Sequence, residues 1–479
     1  MQRSKYRRLP THLALLAFAL CALPVGARAH PTLRASTPAR DATLLVAPSS
    51  IRLQFSESVE LALTRVALNL VGGATVSLGK ATRPADSLGI VVVPIATTLA
   101  NGSYKVTWRI VGTDGHPARG EFSFVVAVAA RPASPAAPEA LDGFDASSPL
   151  YAAVRFVRYS ALLSLIGASW FVLGVLPRVA DDARFDLGAL KNAATGRARL
   201  VARWGAGALL VSSMLRLVAQ VAAVDGTSAL NDLATYATLI GETGWGHAWL
   251  LEVGATLIAL SALLQGRRTL AWGTAAFAAP LLAVSAALSG HAAATEGWHG
   301  VALASDALHV LAASGWVGAL FSLVVAGIPA ALALGTVNGE VAVQRLVEAF
   351  SPAALWCATL LVVSGGLTAW IHLGSAAELW QSRFGQVLLL KLSLLAGVAS
   401  TGAYNWRRVL PALGRVGGTQ RLGRSARVEL TFAVAVIALT TVLVATPTPM
   451  HAAPLDAAVA RGHVNGPVAA ASGDADRVK

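Results

Sequence analysis

The sequence predicts two structural parts: an all-β domain near the N-terminus, followed by an all-α bundle of eight membrane-spanning helices. Of the 479 residues, 55% are apolar and only 13% are charged, and the mean hydropathy is +0.60. So many apolar side chains cannot all be buried in globular cores, and lipid must therefore solvate part of the surface. Long apolar segments begin near residue 150, whereas the preceding hundred residues form short, β-rich segments separated by turns.

Residues 1–29 have the features of a secretory signal peptide. A basic start precedes an apolar stretch from Leu13 to Val25, and Ala27-Arg28-Ala29 fits the small-x-small rule for cleavage. Cleavage there would leave His30 as the first residue of the mature chain. An uncleaved anchor is less well supported, because the apolar stretch is short and Pro24 interrupts it.

Residues 30–128 are expected to form an all-β domain. Five short segments are rich in β-formers: Ile51–Phe55, Val66–Leu70, Ile90–Val93, Tyr104–Ile110 and Glu121–Val126. Turn signals such as Asn101-Gly102 separate them, and strands at this spacing favour a sandwich or a barrel. The Pro- and Ala-rich residues 129–149 are predicted to be a linker.

A metal site is suggested in this β domain by a small set of nitrogen and oxygen donors. His30, at a free N-terminus, would offer both its α-amine and its imidazole, and Asp114-Gly115-His116 places a carboxylate and an imidazole on one tight turn. Tetragonal nitrogen and oxygen coordination is favoured by Cu(II). Beyond Met1 the chain contains only Met214 and Met450, which excludes a methionine-rich Cu(I) site on this domain. On these residues alone, an ordinary turn and a metal site are equally supported.

The β domain resembles the copper resistance protein C (CopC) family over its whole length. The resemblance rests on five motifs: His30-Pro-x-Leu, Ser36-x-Pro38, Leu53-x-Phe55-Ser56-Glu57-x-Val59, Gly102-x-Tyr104-x-Val106-x-Trp108 and Asp114-Gly115-His116-Pro117-x-x-Gly120-x-Phe122-x-Phe124. It implies a cupredoxin-like, immunoglobulin-like β-sandwich that binds Cu(II) through His30, Asp114 and His116. Glu57 matches the acid that supports the site from behind the ligands.

Residues 150–446 are predicted to form the membrane bundle, followed by a disordered tail at residues 447–479. A helix needs about 20 residues to cross the hydrocarbon core. Eight segments qualify, near residues 152–176, 201–223, 247–265, 270–289, 303–334, 351–372, 386–406 and 428–446. Cys357 is the one cysteine beyond the signal peptide, so no disulfide framework is expected.

The distribution of basic residues predicts the orientation of the bundle. The formal charge of +13 resides mostly in loops after the first, third, fifth and seventh segments, whereas residues 224–246, 290–302 and 373–385 contain only Arg383. This is a topology signal and not a nucleic-acid-binding face. The positive-inside rule puts the β domain and the C-terminus in the periplasm and the protein in a bacterial inner membrane, with lipid as its surroundings.

A second candidate metal site lies at the outer ends of the predicted spans. His291 ends the fourth span, His299 follows in a loop, and Asp306 and His309 share one face of the fifth helix. Ionisable residues at membrane depth usually face a cavity or the bundle interior. For isolated residues such as His247 and His372, an anchoring role is the simpler interpretation.

The membrane part resembles the copper resistance protein D (CopD) membrane domain. The motifs are Ser289-Gly290-His291, Asp306-Ala307-x-His309, Gly315-Trp316-Val317-Gly318, Ser364-Gly365, Gly385-x-x-Leu388-x-x-Lys391 and Asn405-Trp406-Arg407, with a late Glu429. The resemblance implies movement of copper across the inner membrane, usually described as import. Asn405-Trp406-Arg407 departs from the family's usual Asn-Arg.

The sequence therefore predicts a copper importer that is not an enzyme and that takes its metal from a periplasmic donor protein. Cu(II) is expected in the β domain, and reduction to Cu(I) for passage through the bundle stays open. A periplasmic copper buffer is one alternative. Another is a membrane redox protein that binds haem or copper, with His309 paired to His372 or His291.

Overall fold

The computed structural model describes residues 31–84, 87, 89–126, 149–265, 268–295, 298–413, 417–446 and 448–449. The predicted signal peptide, His30, nearly all of the predicted linker and nearly all of the predicted tail lie outside these ranges. All structural statements below concern the described residues.

The N-terminal part contains two antiparallel sheets, apart from one short parallel pair. The strands are β1 Leu33–Thr37, β2 Thr43–Leu44, β3 Ser50–Phe55, β4 Arg65–Leu70, β5 Thr75–Val76, β6 Ile90–Pro94, β7 Gly102–Val111 and β8 Pro117–Val126. One sheet has the order β1-β3-β6 and the other the order β2-β8-β7-β4-β5. Strands β3, β4, β6, β7 and β8 correspond to the five segments that the sequence predicts.

The two sheets pack face to face around one hydrophobic core. Ile51 and Val91 of the smaller sheet belong to the same buried cluster as Val106 and Phe124 of the larger one. Alternate residues of β7 are buried from Tyr104 onward, because successive side chains of a strand point to opposite faces. This sandwich arrangement gives the long β7-β8 hairpin a rigid base.

Eight helices in the described part of the chain are long and apolar enough to cross a membrane. They are α1 Pro149–Arg178, α2 Leu187–Asp225, α3 Gly244–Gln265, α4 Thr269–Leu288, α5 His299–Leu332, α6 Val337–Leu373, α7 Arg383–Ala412 and α8 Gly418–Leu443. Each contains most or all of one predicted span, and most extend beyond it. The prediction of a β-sandwich followed by an eight-helix membrane bundle is confirmed.

Helix α1 crosses α5 at short range through two glycines, Gly167 and Gly318. At this crossing, a Cβ atom on Gly167 would overlap the backbone of Gly318, and a Cβ on Gly318 would overlap the carbonyl of Leu163. Small residues let helices approach closely in membranes, where van der Waals packing replaces the hydrophobic effect as the driving force. Gly318 ends a π-helical turn, Ser314–Gly318, within α5.

The β-sandwich is docked against one end of the bundle. Leu63 and Val111 of the sandwich share a buried cluster with Val221 and Trp245 of the bundle. Around this apolar contact, Arg109 donates a 3.0 Å hydrogen bond to the carbonyl of Val224 and lies 3.4 Å from the carboxylate of Asp225. Both apolar and polar contacts therefore hold the two parts together.

Two further contacts define what we call the docked end of the bundle, formed by Asp225, Gly244 and Ala293. Glu60 accepts a 2.8 Å hydrogen bond from the backbone N–H of Gly244, and the Thr113 hydroxyl lies 3.5 Å from the carbonyl of Ala293. Two of the three loops that are poor in basic residues, 224–246 and 290–302, thus contact the sandwich, as the charge pattern predicts.

The α1-α5 crossing leads to a stability prediction. Replacing Gly167 by Leu places a side chain where the Gly318 backbone lies, and we expect a loss of about 3 kcal/mol, the upper part of the usual overpacking range. The thermal midpoint of the purified protein in detergent measures it. Gly207→Leu on α2 is the matched control, because a Cβ there meets nothing within 4 Å; equal midpoints for the two variants would contradict the crossing.

Candidate metal centre

The turn between β7 and β8 positions the predicted ligands of the β domain. The two strands pair up to Val111 and Pro117, and Gly112 donates a 2.8 Å backbone hydrogen bond to the carbonyl of His116. Gly115 adopts a φ of +87°, a left-handed conformation that favours glycine. The glycine of the Asp-Gly-His sequence is therefore favoured by the shape of the turn.

The side chains of Asp114 and His116 are hydrogen-bonded to each other, and each residue is 5% exposed. The His116 ring nitrogen Nδ1 lies 2.6 Å from Asp114 Oδ2, and the His116 backbone N–H donates to Oδ1 at 3.0 Å. Burial acts to raise the pKa of the Asp114 carboxyl, but the interaction with the ring and the backbone N–H of His116, aided by His291, holds it well below its usual value. Asp114 is thus kept ionised, which is the form that binds a metal.

Glu57 and the start of the described chain lie beside the same turn. A Cβ on Gly112 would be 2.7 Å from Asp114 Oδ1, 3.3 Å from the ring of Pro31 and 3.6 Å from the Glu57 carboxyl carbon. Burial, and then repulsion from Asp114, raise the pKa of Glu57 well above its usual value. Pro31 is buried here, so the chain that follows His30 is held next to the two predicted ligands.

Docking covers the Asp-Gly-His turn with residues of α1, α2 and α3. Gln220 donates a hydrogen bond to the carbonyl of Gly115, and the indole of Trp245 packs so closely on Gly115 that a Cβ there would overlap it. Arg155 of α1 lies with Nη2 3.4 Å from His116 Nε2. The turn that carries the predicted ligands Asp114 and His116 is consequently enclosed by the bundle.

Three histidine rings form a series from the sandwich into the bundle. The ring centroids of His116 and His291 are 5.8 Å apart, and those of His291 and His372 are 6.1 Å apart. His291 also lies 3.3 Å, through Nε2, from the carbonyl of Thr446, which follows α8. His372, at the C-terminal end of α6, is 4% exposed. We call His116, His291 and His372 the histidine series.

Polar side chains continue from His372 along one face of α6. Ser364, Thr368 and His372 are four residues apart, so each lies one turn above the previous one, with a rise of about 6 Å per step. Thr368 donates a 3.0 Å hydrogen bond to Asp306, and Ser364 lies 3.1 Å from Nδ1 of His309. Asp306 and His309, predicted to share a face of α5, therefore both face α6.

The four residues predicted for the second site do not lie together in the structure. His291 joins the histidine series, whereas Asp306 and His309 lie deeper, where the charge of Lys391 acts on both. His299 is exposed at the start of α5. Within the described ranges no three His, Cys, Asp or Glu side chains converge closely enough to hold a metal ion. The predicted outer site includes His30, which lies outside those ranges.

A buried charged cluster lies below the docked turn. Glu252 of α3 accepts hydrogen bonds from Arg158 of α1 and from Ser213 of α2, and Arg216 lies 3.5 Å from its carboxylate. Glu252 is fully buried, and Arg158 and Arg216 are 3% and 4% exposed. Two guanidinium groups against one carboxylate leave this cluster with a net positive charge.

A third polar cluster joins two motifs far apart in the sequence. Asn405, in the π-helical turn Asn405–Val409 of α7, donates a 3.0 Å hydrogen bond to Glu429 of α8. π-Helical turns inside α-helices occur frequently at functional sites.

Sequence reasoning missed the contact between Arg155 and His116 and the inclusion of His372 in a series. Arg155 carries no motif, and the sequence contained no signal that placed it on the turn, since 39 residues and an interdomain contact separate the two side chains. The position of His372 on the same helix face as Ser364 could have been predicted from their spacing, because Ser364 belongs to the Ser364-Gly365 motif. His247 is exposed and bonded to the carbonyl of Gly241, as expected for an anchoring residue.

A β-sandwich with buried Asp and His donors, docked on a polytopic helical bundle, defines a class of multi-pass membrane protein that handles a metal ion. Family models agree with each part: "CopC domain" matches residues 33–127, "Copper resistance protein D-like, N-terminal domain" matches residues 145–301, and "Copper resistance protein D" matches residues 344–443. The chain belongs to the copper resistance family in which a CopC domain is followed by a CopD domain.

Named relatives cover the whole chain and its parts. The copper transport protein CutJ of Bacillus subtilis is 27% identical over 92% of this chain and 78% of its own length. Copper resistance protein D of Pseudomonas syringae is 28% identical over 61% of this chain and 94% of its own length. Copper resistance protein C of Escherichia coli is 34% identical over 21% and 84%. Each of these relatives is named for copper transport or resistance rather than for a catalysed reaction.

Among solved structures, the crystal structure of CopC from Methylosinus trichosporium OB3b is similar to the N-terminal part of the chain. It is 28% identical, covers 20% of this chain and 93% of its own, and gives a TM-score of 0.19.

The docked geometry predicts a specific cross-link. Thr113→Cys and Ala293→Cys should form a disulfide on mild oxidation, since the Thr113 hydroxyl lies 3.5 Å from the Ala293 carbonyl. Mass spectrometry of the digested protein measures it. Ser103→Cys replaces Thr113→Cys in the control pair, because Ser103 lies about 26 Å from Val111 along β7. Equal cross-linking of both pairs would show that the sandwich is not held in this position.

Proposed function

We propose that this protein binds Cu(II) at the β7-β8 turn, on the outer face of the inner membrane, and passes copper into and across the bundle as an importer. The observation that carries the proposal is the histidine series. It begins at the predicted ligand His116, continues through His291 at the docked end and reaches His372 on α6. A site that only buffered copper would need no such continuation into the membrane part.

The chemistry of the proposed outer site suits Cu(II). The α-amine and imidazole of His30 would join His116 and the ionised Asp114 in a nitrogen-rich set with one oxygen, which Cu(II) favours. Glu57 would act from behind the ligands. The position of Pro31 beside Gly112 supports the participation of His30.

The proposed path requires successive sites of moderate affinity. An ion moves only if each site binds strongly enough to receive it and weakly enough to release it. Pairs of imidazoles, followed by Asp306 and His309 of α5 where it faces α6, are suitable steps, because none of them encloses the ion completely. Imidazole nitrogens bind copper in either oxidation state, so the series accommodates Cu(II) or Cu(I).

The inward direction is inferred from charge and placement. The sandwich docks at the end of the bundle with the fewest basic residues in its loops, which the positive-inside rule assigns to the periplasm. The third polar cluster, which includes Asn405 of α7 and Glu429 of α8, would receive copper on its way to the cytoplasm. A periplasmic protein would supply copper to the outer site.

Copper accumulation in cells that lack the gene tests the proposal. Wild type should raise cytoplasmic copper, and His116→Ala, His291→Ala and His372→Ala should each return it to the level of the deletion strain, because each removes one step of the series. Cell-associated copper is measured by mass spectrometry after fractionation.

His247→Ala is the matched control, since the His247 ring is exposed and is hydrogen-bonded to the backbone carbonyl of Gly241. If cytoplasmic copper is the same with and without the protein while purified protein still binds Cu(II) through His116, transport is wrong and buffering replaces it.

A further inference from the structure

The contact between Arg155 and His116 determines which nitrogen of His116 is available to a metal. A guanidinium has only N–H donors, so in this contact Arg155 donates and His116 Nε2 accepts. The opposite ring nitrogen, Nδ1, lies 2.6 Å from the Asp114 carboxylate and therefore carries the proton. In the docked structure the lone pair of Nε2 is directed at a cation.

A metal ion at Nε2 would need the same lone pair. The ring would bind it through Nε2 while Nδ1–H remains on Asp114, an arrangement common for histidine ligands. An ion about 2 Å from Nε2 cannot coexist with a guanidinium nitrogen 3.4 Å from that atom. Docking of the sandwich and strong metal binding by His116 are therefore in direct competition.

The surroundings of Arg155 reinforce this competition. The guanidinium of Arg155 lies over the ring of Tyr151, 4.4 Å from its centroid, and Arg155 is 7% exposed, so the charge is poorly screened by solvent. Arg158 and Arg216 line the same small cavity as His116 and Arg155. Both guanidinium groups pair with one carboxylate, Glu252, so the three together add a net positive charge beside this cavity.

We propose that Arg155 is a release residue: when the sandwich docks, its guanidinium takes the Nε2 lone pair of His116 and lowers the affinity of the outer site, so that copper passes to His291. The proposal rests on the proposed function and adds its release step. Copper loads while the sandwich is undocked and leaves when it docks. The ring of His291, 5.8 Å from that of His116, is the nearest acceptor in the histidine series.

The test holds docking constant and changes only Arg155. The full-length protein carrying Thr113→Cys and Ala293→Cys is oxidised, which locks the docked state, and its Cu(II) affinity is measured by competition with a chelator of known affinity. With Arg155→Gln the locked protein should bind Cu(II) about tenfold tighter or more, because the charged hydrogen bond is lost. Arg155→Lys should keep the weak binding, since it keeps the charge.

Arg65→Gln is the matched control, because Arg65 is an exposed guanidinium on β4 that bonds only nearby backbone carbonyls; its affinity should equal that of the locked wild type. In cells, Arg155→Gln should lower copper accumulation although it binds copper more tightly. Equal affinities for the locked wild type and Arg155→Gln overturn the release role and leave the proposed function standing. If His116→Ala and Asp114→Ala both still bind Cu(II) as wild type does, the proposed function and the release role are overturned together.

Discussion

The docking of the β7-β8 turn on the bundle is the contact on which the rest of the account depends. A buried Asp-His pair is costly to form unless every polar atom finds a partner. Here the partners come from both parts of the chain. Within the turn, Asp114 is hydrogen-bonded to His116. From the bundle, Arg155 of α1 contacts His116, and Gln220 of α2 donates a hydrogen bond to the carbonyl of Gly115. Because the turn is enclosed by the membrane part, the proposed site in the β-sandwich and the histidine series in the bundle form one continuous structure.

The fold follows from patterns that are local in sequence. Strand β7 is an alternating run with every second residue buried, and the eight helices are apolar segments of sufficient length. Asp114 and His116 are also local, since two residues on one turn must lie close together. For these features the spacing and the family motifs contained the needed information.

The contacts between elements could not be predicted in the same way. The sequence grouped His291 with Asp306 and His309 because all belong to the same predicted end of the bundle, whereas the packed helices place His291 between His116 and His372. Arg155 lacks a motif, and its contact depends on how a rigid sandwich sits on a rigid bundle. Such a rigid-body relation leaves no periodic trace in either segment.

The charged groups in the bundle have a consistent arrangement. Arg155, Arg158 and Arg216 lie around the docked turn, where the release proposal has Arg155 oppose retention of a metal ion. The acids Asp306 and Glu429 lie on α5 and α8, where each accepts a hydrogen bond from an uncharged side chain. The most direct test of the central claim is the pulsed EPR distance, in the copper-free protein, between a nitroxide at Arg65→Cys on β4 and one at Leu264→Cys, a position about 30 Å from Gly244 along α3. A docked sandwich predicts one narrow distance distribution in lipid nanodiscs; a broad distribution over tens of ångströms would contradict it.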